Sequence, residues 1–148
     1  MIQSKFPSRT TNLVGYGRNS LILVLYYYKR GGERVKNTEN ERSKDHILVC
    51  LSSSPSNERI VRMAGKMAQA FCGSLTALYV QTPEDTVMNT ADMSRLQANM
   101  RLAQQLSAEI VTTHGEDVPT QIAEYARLSD VTKIVIGRSG VQRPHFWS

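Results

Sequence analysis

From His46 to Gly137 the chain repeats one unit: a short apolar run, a polar or glycine turn, then apolar residues every three or four positions. The apolar runs are Ile47-Leu48-Val49-Cys50-Leu51, SLTALYV over residues 74–80, 109–113 and 133–136. They are too short for free-standing helices and read as strands. The intervening segments read as helices over residues 57–71, 91–107 and from Asp117, a cap residue with Pro119 tolerated in the first turn. Their apolar stripes are Ile60, Ala64, Met67 and Phe71; Leu96, Met100, Ala103 and Leu106; and Ile122, Ala123 and Ala126. Leu75, Ala77 and Tyr79 share one face of the second strand, and Gly73 breaks the chain before it. Strands alternating with helices across short turns require right-handed crossovers and a mostly parallel sheet covered on both faces. The expected fold is therefore α/β, a three-layer open parallel sheet. The rhythm stops after Gly140, so the last helix and strand of such a sheet are expected to be lacking, and residues 45–148 read as a C-terminally truncated domain.

Charge separates this region from what precedes it. The net charge of +5 divides into +6 over residues 1–44 and −1 over residues 45–148. The basic character thus belongs to a leader, and no nucleic-acid partner is expected of the folded part. The leader reads as poorly ordered over residues 1–19, as a possible strand over 20–29 and as a solvated linker of alternating charge over 33–44. Its longest apolar run, residues 21–28, falls far short of the roughly 20 residues that span a bilayer, so no membrane segment is expected. Two cysteines, Cys50 and Cys72, fit burial in a reducing cytosol rather than a disulfide framework.

One loop invites a ligand. Ser52-Ser53-Ser54-Pro55-Ser56-Asn57 joins the first strand to the first helix, with Ser56 at the N-cap. Hydroxyls and helix amides at that place can hold a phosphate or a nucleobase, although serines in such a turn also serve as ordinary caps. Gly137-Arg138-Ser139-Gly140 follows the last strand, which would neighbour the first across the reversal of strand order. Glycines there allow close backbone approach and an arginine suits an anion, although two glycines also make a plain turn. His46, His114 and His145 lie at element edges without partners at ligand spacing, so no metal site is expected. Glu84/Asp85 and Glu116/Asp117 lie at helix starts, where negative charge is favoured. No serine–histidine or cysteine–histidine pair and no G-x-x-x-x-G-K loop is present, so no catalysis is expected.

The residues HILVCLSSSPSNERIVRMAGKMAQAF, LTALYV and RLQANMRLAQQLSAEIVTTHGEDVPTQIAEYARLSDVTKIVIGRSG resemble the universal-stress-protein-like domain of potassium sensor kinases of the KdpD family. The resemblance runs from about Asp45 to Ser148. It implies the universal stress protein (adenine nucleotide α-hydrolase-like) fold and a cytoplasmic sensory module of a two-component system. The phosphoacceptor histidine and the kinase core of such proteins are not in this sequence, so the chain is similar to a fragment and is not expected to be an enzyme. In the family, Ser-x-Ser, twenty residues and then Phe-Thr-Ala-x-Tyr is associated with cyclic di-AMP. Here Ser52-x-Ser54 is followed after twenty residues by Leu75-Thr76-Ala77-Leu78-Tyr79, with Leu75 in place of phenylalanine. The resemblance thus implies ligand contacts from Ser52, Ser54, Ser56, Thr76, Ala77, Tyr79, Gly137, Arg138, Ser139 and Gly140. ATP ranks below cyclic di-AMP, because Leu51-Ser52 stands where nucleotide-binding stress proteins carry an aspartate. The implied partners are a nucleotide second messenger and either the remainder of a sensor kinase or a stress-protein scaffold partner. A docking domain without a ligand is the alternative.

Overall fold

The computed structural model describes residues 12–16, 22–26 and 45–137, the first two segments by backbone alone. The elements in chain order are β1 (Asn12–Tyr16), β2 (Ile22–Tyr26), β3 (His46–Cys50), α1 (Asn57–Ala70), β4 (Ser74–Gln81), a 3₁₀ turn (Pro83–Val87), α2 (Thr90–Gln105), β5 (Glu109–His114), α3 (Val118–Leu128) and β6 (Lys133–Gly137). They build one sheet of order β1-β2-β6-β3-β4-β5. The four strands β6, β3, β4 and β5 are parallel, as the alternation requires.

The central strands are apolar without alternation because both their faces are covered. Ile47, Leu48, Val49, Ile134 and Val135 are all fully buried. One face carries α1 and α2: Ile60, Val61, Ala64, Leu96 and Ala103 pack on Ile47, Val49, Leu75, Ala77 and Tyr79. The other carries α3: Ile122 and Ala126 pack on Leu48, Leu78, Val80, Ile134 and Ile136. Chain order moves outward from β3 through β4 to β5, then returns across to β6 on the far side of β3. The reversal therefore lies between β3 and β6, and the serine loop leaves β3 at that point.

Two expectations are corrected, one in α1 and one in the leader. Phe71 does not complete the buried stripe of α1: it is the C-cap residue, 43% exposed, with the Lys133 Nζ 4.3 Å from its ring centroid. After α1 the left-handed residue is Cys72 (φ 51°). Glycine is needed at 73 for close approach: a Cβ there would stand 2.2 Å from the Asp45 carbonyl oxygen. The last parallel strand, β6, has a neighbour on each side. β2 pairs with it antiparallel from Ile22 opposite Gly137 to Tyr26 opposite Lys133, and β1 pairs outside β2. The leader thus supplies two strands within residues 1–44, one of them where no regular structure is read from the sequence. The physical reason is that an open edge offers unpaired amides and carbonyls, and the Leu21–Tyr28 run holds the strongest strand formers in that stretch.

Candidate functional site at the reversal of strand order

The serine loop is held from beneath by Asn57, the first residue of α1, which is 2% exposed. Its Nδ2 donates to the Cys50 carbonyl at 2.9 Å and its Oδ1 accepts from the Ser52 amide at 3.1 Å. This ties the helix start to the strand end. The hydroxyls then satisfy the loop from within. Ser52 Oγ accepts from the Ser54 amide at 3.2 Å, Ser54 Oγ accepts from the Ser56 amide at 3.3 Å, and the Ser54 and Ser56 hydroxyls share a bond of 2.9 Å. Ser56 is at the N-cap position, as expected, but its side chain makes no capping hydrogen bond to the first turn of α1. The amino end of α1 is thus left without a side-chain cap, and the acidic Glu58 in its first turn offsets part of its partial positive charge.

α2 closes the loop from the other side. Asn99, 6% exposed, donates from Nδ2 to the Ser52 carbonyl at 3.0 Å, and Arg95 Nε donates to the Ser53 carbonyl at 2.8 Å. α2 itself is started by Asn89, whose side chain accepts from the Asp92 amide at 2.8 Å. Asn57, Arg95 and Asn99 were not singled out from the sequence. Asn57 stands at the helix start, where such residues often bond locally. The other two lie some 40 residues further along, and only the packing of α1 on α2 brings them to the loop.

The remaining expected site residues separate. Tyr79 lies near the carboxyl end of β4, where its hydroxyl donates to Asp85 Oδ2 at 2.7 Å. The same oxygen accepts from the Thr82 amide at 3.0 Å, so Tyr79 pins the turn that follows its strand. Burial raises the pKa of the Tyr79 phenol, and the hydrogen bond to Asp85 and the negative charge of that carboxylate raise it further. Thr76 points to the α3 face and is 2% exposed; its hydroxyl shares a 2.7 Å bond with His46 Nε2, while His46 Nδ1 bonds the Ser129 carbonyl at 2.9 Å. Ala77 is fully buried in the body of the sheet. Leu75, at 5% exposure beneath α1, is core and does not offer its side chain to a base. Gly137 ends β6 across the reversal from the serine loop. Arg138, Ser139 and Gly140 lie outside the described residues.

Two other groups bear on chemistry. Burial pushes the Cys50 thiol from an ordinary 9.0 up to about 12, which keeps it protonated and unreactive near neutrality. Among the described residues there is no group of three His, Cys, Asp or Glu side chains able to hold a metal ion. Among those residues no helix is long and apolar enough to cross a membrane.

Comparison with known proteins gives these features a setting. The sensor protein KdpD of Clostridium acetobutylicum is 44% identical over 97 residues, covering 66% of this chain and 11% of that protein. The Escherichia coli sensor protein KdpD is 30% identical over 113 residues, covering 76% of this chain and 12% of that protein. The chain therefore spans about a tenth of the length of these relatives. Among solved structures, universal stress protein UspA from Lactobacillus plantarum superposes with a TM-score of 0.51 at 26% identity, over 69% of this chain and 82% of that one. The universal stress protein family profile matches residues 44–146, and the chain belongs to that family.

Proposed function

We propose that this chain is the regulatory module of a KdpD-type two-component potassium sensor, working in the cytoplasm by binding a nucleotide second messenger, cyclic di-AMP, without catalysing a reaction. Similarity to segments of KdpD sensor proteins supports the sensory setting. The observation that carries the ligand reading is the serine loop at the reversal between β3 and β6. There, three half-buried serine hydroxyls border an α1 amino end with no side-chain cap. A phosphate diester suits such a place, since hydroxyls donate to its oxygens and the helix end favours its charge.

Within this reading Ser52, Ser54 and Ser56 contact the phosphate and Gly137 allows close approach from β6. Tyr79 contributes by holding the neighbouring turn through Asp85. Thr76 acts at a distance, keeping β4 bonded to His46. Calorimetry with the whole chain tests the assignment. Cyclic di-AMP should bind, and Ser54→Ala should weaken it about tenfold or more, the worth of one hydrogen bond to a charged group. Binding of ATP with no heat from cyclic di-AMP would replace the effector. Heat from neither would leave a docking module for the rest of a sensor or for a stress-protein partner.

A further inference from the structure

Beside the serine loop, on the outer side of the helix layer, α1 and α2 leave an open groove of about 360 Å³. Ser54 stands at its mouth, and Glu58, Arg62, Arg95, Asn99 and Arg101 are among the residues that line it. Three guanidinium groups thus surround a space that contains one carboxylate. The three are not equally committed. Arg62 Nη2 pairs with Glu58 Oε1 at 3.0 Å, but both side chains are more than half exposed, so that pair is weak and readily shared. Arg95 is fixed by the Ser53 carbonyl through Nε and by Asp92 through Nη2, which preorganises the guanidinium at the loop. Arg101 has no partner among the described residues.

We infer that this α1/α2 groove is a phosphate-binding subsite, with Arg101 and Arg62 as its charge-bearing ligands, Arg95 as its fixed corner and the Ser54 hydroxyl as its link to the serine loop. Planar guanidinium groups take phosphate oxygens in pairs, and a groove this open admits a phosphate on a larger molecule. Glu58 restrains the site by engaging Arg62. The inference deepens the nucleotide reading, on which it rests only for the identity of the molecule that carries the phosphate.

Inorganic pyrophosphate is the probe, titrated into the whole chain and followed by amide NMR, with cyclic di-AMP titrated in parallel. Shifts should concentrate at Ser54, Arg62, Arg95 and Arg101. Arg101→Gln should weaken pyrophosphate about tenfold, the loss of a charged hydrogen-bonding partner. Glu58→Gln should strengthen it about twofold to threefold by releasing Arg62, an effect no merely structural role would produce. Both side chains are exposed, and unchanged melting temperatures would show that the variants stay folded. Unchanged affinity in both variants, or shifts spread equally to Arg59 and Arg127, would overturn the subsite. Cyclic di-AMP and pyrophosphate binding that both ignore Arg101→Gln would overturn the subsite while leaving the nucleotide reading intact. Pyrophosphate binding in the groove with no response to cyclic di-AMP would leave the subsite standing and remove that ligand.

Discussion

At Asn57 two hydrogen bonds converge on one buried side chain, to the Cys50 carbonyl and from the Ser52 amide. Asn57→Ala leaves both backbone groups without a partner, so it should cost about 2–3 kcal/mol in urea denaturation and loosen the serine loop. A loss below about 0.5 kcal/mol would show that water replaces the amide without penalty. Cys50, next to it, gives a pH signature. Its folded pKa of about 12 lies above the ordinary 9.0, so the folded state keeps a proton that the unfolded chain releases. The stability this contributes is intact below about pH 9 and is lost as pH rises from there toward 12. Tyr79 adds a similar loss above about pH 10, because its folded pKa is also raised. Cys50→Val should flatten the lower part of this alkaline limb, and a wild-type slope in the variant would remove the cysteine from the account.

The three helices end alike. After α1, α2 and α3 come Cys72, Ser107 and Asp130 with φ of 51°, 65° and 53°. In each case the next amide reaches back into the helix: Gly73 to Ala68, Ala108 to Ala103 and Val131 to Ala126, at 2.8, 3.0 and 3.1 Å. None of these left-handed residues is glycine, so each helix end carries strain of about 1 kcal/mol. Ser107→Gly, at an exposed position, should therefore stabilise the protein by up to about 1 kcal/mol, read as a higher denaturation midpoint. Gly73→Ala should do the reverse and cost more than about 2 kcal/mol, since the Asp45 carbonyl is backbone and cannot step aside. A neutral result at Gly73 would mean that the start of β3 moves.

On the scale of the whole sheet, the outer side of β6 is paired by β2. A chain starting at residue 45 would uncover that edge, with its row of unpaired amides and carbonyls. It should melt lower than the whole chain and self-associate in gel filtration. Equal melting temperatures and equal elution volumes would show that the hairpin adds nothing to the edge. The opposite border, β5, pairs with β4 alone among the described strands. Glu109, Thr112 and His114 are exposed along it, so polar side chains guard that border.

Local pattern by itself determined the parallel core. Short apolar runs at 47–51 and 134–136, helical spacing at Ile60, Ala64 and Met67, and the serine turn before that helix are all set by neighbours within a few residues. Burial then followed the pattern, as Ile60 and Ala64 confirm at 2% and 0% exposure. The serine loop was legible for the same reason, being one contiguous segment between two strong elements. What only the tertiary structure decided depends on distant partners. Phe71 left the core because the helix ended at Ala70, and Thr76 gave its hydroxyl to His46, 30 residues away. Asn99 and Arg95 reached the serine loop across 47 and 42 residues. Asn12–Tyr16 became a strand through pairing with β2, which itself needed the β6 edge. A five-residue strand has too few local contacts to declare itself, and its pairing energy exists only once the sheet supplies a partner.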